Sequence, residues 1–333
     1  MSSPLKEALP VSSPSSLDAV LRPNRWDEYV GQKQVKASVR ISIDAAKKRG
    51  GMPEHFLFYG PPGVGKTTLA HLVATTLESP IKSTSGVAIE RAGDLAAILT
   101  NLEPNTVLFI DEIHRLSRKI EELLYPALES GHLDIILGKG PSARTVELSL
   151  PTFTLVGATT RVAELSGPLR SRFGGGTYQL DFYNDSDLRD IIRRSSSLLK
   201  LSVPEDVVEQ IAVRSRATPR VANALLKRVR DFSEVHEKAL SSQLCDEACE
   251  LFGIDSFGLT KDDRRYLETL LKSFRGGPAG VRALAAALHE DPDTVEYVYE
   301  PYLLRLGFVE RSSRGRILTQ KGREYLEGEL KLF

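Results

Sequence analysis

Gly60, Gly65, Lys66 and Thr67 fit the spacing of a phosphate-binding loop, G-x-x-x-x-G-K-[ST]. A short apolar run, His55 to Tyr59, leads into the loop, and Leu69, Leu72, Val73 and Leu77 follow it at helical spacing. That is the strand, loop and helix context the chemistry requires. Glycines, Gly63 among them, let backbone N–H groups close around phosphate oxygens, and the helix N-terminus that follows adds a favourable dipole. Lys66 is placed to reach the β- and γ-phosphates, the Thr67 hydroxyl to ligate Mg²⁺, and Thr68 to complete the loop. A second apolar run, Val107 to Ile110, ends in Asp111 and Glu112. One carboxylate there can hold the Mg²⁺ shell while its neighbour orients or deprotonates an attacking water, so Asp111 is assigned to the metal and Glu112 to the water. The expected ligands are ATP and Mg²⁺.

Other elements must hold these groups. A third apolar strand, Thr152 to Val156, runs on to Thr159 and Thr160, either of which could instead be a helix cap. Leu133–Leu137 and Arg144–Leu148 can form a projecting β-hairpin around the turn-forming residues 138–143. Apolar residues on such a two-stranded ribbon want a partner surface. After Phe182 and Tyr183 the pattern is one of amphipathic helices to about residue 253, with a cationic cluster from Arg214 to Arg230 that reads mainly as a solvated face. Thr260 with Asp263 opens a third unit: helices over Val281–His289 and Thr294–Leu306, then Phe308–Arg311 and Arg316–Thr319 flanking a turn. Three helices and a hairpin resemble a winged helix. Between residues 305 and 323 six cations face one acid, Glu310. That is a phosphate-contact footprint with few amide side chains to read bases, so sequence-independent duplex binding is expected.

The totals exclude other classes. Lys plus Arg and Asp plus Glu both number 44 in 333 residues, so overall charge names no partner. Two cysteines, Cys245 and Cys249, are too few for a disulfide framework or a four-ligand zinc site and read as reduced structural thiols. No run approaches the roughly 18 apolar residues of a membrane span, and the start lacks a secretion pattern, so a soluble cytoplasmic protein is expected. The expected organisation is a disordered tail at 1–16, a large ATPase domain at 17–182, a small helical lid at 183–255 and a winged-helix DNA-binding domain at 256–333.

The segments also resemble known families. Leu21–Gln32, ahead of the phosphate loop, is similar to the adenine-side box of the AAA+ ATPases, which implies Leu21, Arg22, Tyr29 and Val30 around the base. In the same family the third strand is a sensor, with Thr160 the better candidate for the γ-phosphate or the water. An arginine near a phosphate site can serve its own subunit or a neighbour's; AAA+ proteins use one from the adjacent protomer, and the resemblance implies Arg172 of the Ser166–Phe173 stretch by motif match, with Arg170 second. Arg220, in the first turn after Pro219, stands where AAA+ lids carry their second sensor, the role the resemblance implies for it. Taken together with Asp111–Ser117, Gly138–Arg144, Gly157–Arg161, Arg214–Arg220 and Gly307–Arg316, these segments resemble the RuvB family of bacterial Holliday-junction branch-migration motors over nearly everything after residue 20. The fold this implies is α/β, a P-loop AAA+ core with a parallel sheet, a helical lid and a C-terminal winged helix. The activity implied is ATP-driven branch migration in recombination, repair and the SOS response. The partners implied are five further copies in a homohexameric ring around double-stranded DNA at four-way junctions, RuvA docked on the 133–148 hairpin, and a RuvC-like resolvase in a larger complex. Tyr183 and Arg220 would meet nucleotide from the lid, Glu129, Ser130 and Gly131 would lie near the protomer boundary, and Arg311 and Arg316 would touch DNA. Pro292 stands where relatives commonly carry an arginine. Without the resemblance, a nucleotide-controlled loader, a GTP-binding protein (Thr260–Asp263 formally fits [NT]-K-x-D) and a winged-helix regulator remain open.

Overall fold

The computed structural model describes residues 14–137 and 144–330. Its centre is a five-stranded parallel sheet built from β1 (Phe56–Tyr59), β2 (Ile81–Ser85), β3 (Thr106–Asp111), β6 (Phe153–Thr159) and β7 (Gly176–Gln179), in the order β2-β3-β6-β1-β7. Strands buried on both faces read as continuous apolar runs, and the three inner strands do so. Alternation then divides them between two cores. Phe56, Phe58, Val107 and Phe109 face one side, and Leu57, Leu108 and Ile110 the other. Helices Lys33–Lys48 and Lys66–Leu77 cover the first face, while Ala92–Thr100 and Arg118–Glu129 cover the second. The edge strands β2 and β7 are half-exposed, carry Lys82, Ser83, Thr84, Thr177 and Gln179, and had no apolar signature to read in the sequence.

The first helix spans Pro14–Leu21, beginning three residues before the expected start of order at 17; residues 1–13 lie outside the described part. Strands β4 (His132–Leu137) and β5 (Arg144–Ser149) form the expected antiparallel hairpin, pairing Leu133 with Leu148 and Ile135 with Val146. Its turn, 138–143, is outside the described residues.

Four helices follow the sheet: Asp185–Leu198, Glu205–Arg214, Pro219–Val235 and Ser242–Leu251. Their apolar faces, including the buried free thiols Cys245 and Cys249, continue the core of the first sheet face. Thr218 caps Pro219–Val235 by accepting from the Val221 N–H, with Pro219 in the first turn where its missing N–H costs nothing. The last unit has its own core around Tyr266, Leu284, Leu303 and Phe308. Thr260 and Asp263 make a reciprocal capping box at the start of Lys261–Lys272, so the stretch that formally matched a guanine-reading motif is spent on a helix terminus. The helix expected over Thr294–Leu306 is interrupted by a π-helical turn at Val295–Tyr299. Strands β8 (Val309–Ser312) and β9 (Gly315–Leu318) make the wing. Among the described residues no helix is long and apolar enough to cross a membrane.

Candidate functional site

Parallel pairing of β1 with β6 and of β6 with β3 brings three strand ends side by side at Tyr59, Thr159 and Asp111, where ligands of open parallel sheets bind. The phosphate loop leaves β1 at this edge. Gly65 has φ +103°, and a Cβ there would stand 2.9 Å from the Tyr29 hydroxyl; Gly63 has φ +81°, and its Cβ would stand 3.1 Å from that of Arg220. Both positions therefore need glycine twice over, for left-handed backbone and for the close approach of other segments. Arg220 also donates its backbone N–H to the Gly63 carbonyl at 3.4 Å, which sets the N-terminus of Pro219–Val235 against the loop.

Lys66 is buried, with Nζ donating to the carbonyls of Gly60 and Pro61 at 2.8 Å each. Burial lowers its ammonium to about 8, against the opposing pull of Asp111 and Glu112. Asp111 accepts the Glu112 N–H at 2.9 Å. Glu112 itself holds φ +49°, a left-handed conformation uncommon for a residue with a Cβ, and such strain concentrates at functional positions. His114 Nε2 lies 3.3 Å from the Glu112 carboxylate, and its Nδ1 lies 2.8 Å from the Thr159 hydroxyl. Burial holds the imidazole below its ordinary range, so at neutral pH it is the neutral tautomer that donates from Nε2 and accepts at Nδ1. Thr159 Oγ1 in turn accepts the Arg161 N–H at 2.9 Å. Thr159 is thus committed to the interior, and Thr160 is the threonine at the cavity wall.

That cavity encloses about 510 Å³. Gly63, Gly65, Lys66, Thr67 and Thr68 form its floor, and Asp111, Glu112 and Thr160 one wall. Leu21, Arg22, Tyr29 and Val30 approach from the N-terminal segment, and Tyr183 and Arg220 from the helical unit. Tyr183 packs so closely on Gly31 that a Cβ there would fall 2.7 Å from its ring, and burial raises its phenol to about 12. Three lining residues had no motif to announce them: Ile191, Arg194 and Asn223. Arg194 binds the Leu21 carbonyl at 2.9 Å and Glu28 at 3.0 Å, tying the N-terminal segment to the helical unit. The donor set suits a nucleoside triphosphate with Mg²⁺: a glycine cradle, a buried ammonium, a helix N-terminus, a hydroxyl at Thr67 and two carboxylates.

Arg172, Glu129, Ser130 and Gly131 do not line this cavity. They form a second group. Arg172 pairs with Glu129 at 2.9 Å, donates to the Pro168 carbonyl at 2.7 Å and lies 4.3 Å above the Tyr125 ring. Ser130 and Gly131 close the end of Arg118–Glu129 beside it.

The wing is less cationic than its own residues suggest. Glu300, fully buried, accepts from Arg316 Nε at 2.7 Å and from Arg311 Nε at 2.9 Å, and Glu296 lies 3.3 Å from Arg316. Arg316 keeps 13 % of its side chain exposed and Arg311 44 %. Arg305 donates to the Tyr183 carbonyl and Lys321 to that of Leu306, whereas Arg314 stands exposed at the tip. Within the Arg214–Arg230 cluster, Arg214 pairs with Asp246, Arg216 with Asp263 and Arg230 with Asp231.

Family comparison accounts for all three units. Residues 21–178 match the family described as the Holliday junction DNA helicase RuvB P-loop domain, residues 183–255 the RuvB AAA lid domain, and residues 256–327 the RuvB C-terminal winged helix domain. Among curated relatives, the Holliday junction branch migration complex subunit RuvB of Thermomicrobium roseum is 52% identical over 95% of this chain and 90% of its own. That of Dehalococcoides mccartyi is 51% identical over the same shares. A solved Thermotoga maritima structure, described as the RuvB Holliday junction branch migration motor, superposes with a TM-score of 0.84 at 46% identity, covering 92% of this chain and 98% of that one.

Proposed function

The chain belongs to the RuvB family of ATP-driven Holliday-junction branch-migration motors, and from that premise we propose how its own residues divide the work. It is a P-loop AAA+ ATPase. The observation that carries the assignment of roles is the single cavity that collects both phosphate-loop and strand-end groups from three segments far apart in the chain.

In this reading Leu21, Arg22, Tyr29 and Val30 hold the base and Tyr183 and Arg220 close from the lid. The loop amides and Lys66 grip the phosphates; Thr67 and Asp111 hold Mg²⁺, with Thr68 beside them. Bound Mg²⁺ neutralises charge on the transferring phosphoryl group. Glu112 orients the attacking water and accepts its proton, and Thr160 senses the γ-phosphate. Arg172, outside its own chain's cavity, serves the site of a neighbour, with Glu129, Ser130 and Gly131 at the same boundary. This is supported by the absence of that group from the residues lining the cavity, since a finger acting in trans has to lie off its own site. Double-stranded DNA is gripped by the wing through phosphates, Arg311 and Arg316 contributing, without base reading. The assembly is a homohexamer working in the cytoplasm, with RuvA on the 133–148 hairpin and a RuvC-like nuclease joining later. The proposed division is into an ATPase domain to residue 182, a lid to 255 that shares the core of the first sheet face, and a DNA-binding end with a core of its own.

The test is branch migration of a synthetic four-way junction with ATP, Mg²⁺ and a RuvA partner, using Glu112→Gln as the control. Movement that depends on all three and stops in the variant is expected; equal movement by Glu112→Gln would refute the assignment.

A further inference from the structure

Five contacts run without a gap from the hydrolysis site to the winged-helix unit. Glu112 meets His114 Nε2 at 3.3 Å, His114 Nδ1 meets the Thr159 hydroxyl at 2.8 Å, and Thr159 Oγ1 accepts the Arg161 N–H at 2.9 Å. The Arg161 side chain then leaves the sheet altogether. Its guanidinium donates to Asp293 at 3.0 Å and stacks 3.8 Å from the Tyr297 ring centroid, with Glu164 as a local brace at 3.2 Å. Asp293 and Tyr297 belong to the interrupted helix that carries Glu296 and Glu300, the two acids bound to the wing arginines.

Two features make this more than proximity. Thr160, the cavity-wall threonine, sits between two anchored neighbours: Thr159 fixed to His114 inside the sheet, and Arg161 fixed to the winged-helix unit. A shift of that unit therefore pulls on the backbone at Thr160 and on the histidine that holds Glu112. The receiving segment, Val295–Tyr299, is a π-helical turn, a geometry that is rare and frequent at functional sites, and one that can revert to α-helix with a one-residue change of register. Coupling would use a second arrangement of Glu112, turned into the cavity toward a water, besides the one seen here beside His114. Coupling needs such bistable elements at each end rather than a rigid wire.

We propose that His114 and Arg161 are positioning residues that tie the orientation of Glu112 and Thr160 to the seating of the winged-helix unit, so that nucleotide state and DNA grip are coupled within one chain. The proposal rests on the hydrolytic role given to Glu112 above. If the coupling runs one way it must run the other: whatever ATP does to DNA affinity, DNA does to ATP affinity by the same factor.

Duplex affinity is measured by fluorescence anisotropy on a labelled oligonucleotide with either a slowly hydrolysed ATP analogue or ADP bound. The full chain should show at least a fivefold difference between the two states. Arg161→Ala should bring the ratio to within twofold of unity with an unchanged melting curve, and Arg161→Lys, which keeps the charge but loses the fork and the stacking, should fall between. Asp293→Asn should lose part of the ratio while leaving ATP turnover without DNA within twofold of the parent, and adding it to Arg161→Ala should cost nothing more. On the inner half of the chain, Thr159→Val removes one hydroxyl at nearly constant volume; it and His114→Asn should each lower kcat about tenfold with KM for ATP unchanged. An undiminished ratio in Arg161→Ala, no ratio in the parent protein, or normal kcat in both inner variants would overturn the proposal. Failure of the underlying reading looks different, because Glu112→Gln would then keep its turnover.

Discussion

Replacing Glu300 by glutamine tests whether the wing arginines are structural before they are DNA ligands. The carboxylate is completely buried and receives both guanidinium groups, with the Tyr266 hydroxyl at 3.3 Å as a further donor. An amide keeps the volume and one acceptor oxygen, but it turns the other acceptor into donors that face Arg311 and Arg316. Breaking a buried ion pair from one side costs roughly 3–5 kcal/mol, against about 0–1 for an exposed pair. The retained oxygen puts the expected loss at the low end, about 3 kcal/mol, or on the order of 100-fold in the opening equilibrium. Hydrogen exchange reads this directly. Amides of Lys261–Lys272 and Glu300–Leu306, on the two helices that meet at Tyr266 and Glu300, should exchange on that order faster, while those of β1 and β3 serve as an internal reference in the same sample. Acceleration of less than about tenfold would mean that water already solvates the carboxylate in solution and that the arginines are free for phosphates.

Three other outcomes follow from the cavity. Lys66 titrates at about 8, below its ordinary value of 10.5, and phosphate favours its charged form; at pH 9 ATP binding should therefore take up close to one proton, and affinity should fall by up to tenfold per pH unit above 8. Calorimetry in two buffers of different ionisation heat checks this, and identical heats at pH 9 would refute it. Gly65→Ala should weaken ATP binding at least tenfold with the fold intact, because the new methyl meets the Tyr29 hydroxyl; adding Tyr29→Phe, which removes the nearest atom and leaves ring carbons at 3.5 Å, should restore part of the loss, and no restoration would count against the steric reasoning. Arg172→Ala should lower turnover roughly 10³-fold or more while ATP binding persists, measured as single-turnover hydrolysis against nucleotide affinity, since a finger acts on the transition state alone; a loss confined to affinity would refute the trans role.

What could be read from the chain in advance was whatever is local along it. The phosphate loop, Asp111, Glu112 and the hydroxyl pair at 159–160 each lie within a few residues of a buried strand, and a buried strand announces itself by an apolar run. The choice of Thr160 over Thr159 could not come from that run, because what separates them is His114, 45 residues away, taking the Thr159 hydroxyl into the interior. Arg194 and Asn223 were invisible for the same reason: they reach the cavity from helices whose other residues follow an ordinary amphipathic pattern. Edge strands β2 and β7 escaped because an edge tolerates polar residues that an inner strand does not.

The wing shows how a correct count can still mislead. Six cations against one acid between 305 and 323 is a fact of the sequence, yet the two acids that matter, Glu296 and Glu300, sit just outside that window on the helix before the hairpin. Folding brings them under the wing, and two of the six charges are then shared with carboxylates. Arg305 and Lys321 are likewise engaged with carbonyls, and Arg314 at the tip is left as the cation with least to hold it back. Charge available to DNA is therefore set by tertiary pairing rather than by composition. The same helix carries Asp293 and Tyr297 to Arg161, so the segment that tempers the grip of the wing is also the one in contact with the end of β6. A motor needs its grip to be adjustable, and in the proposed coupling the wing arginines are held by carboxylates on the same interrupted helix that meets Arg161.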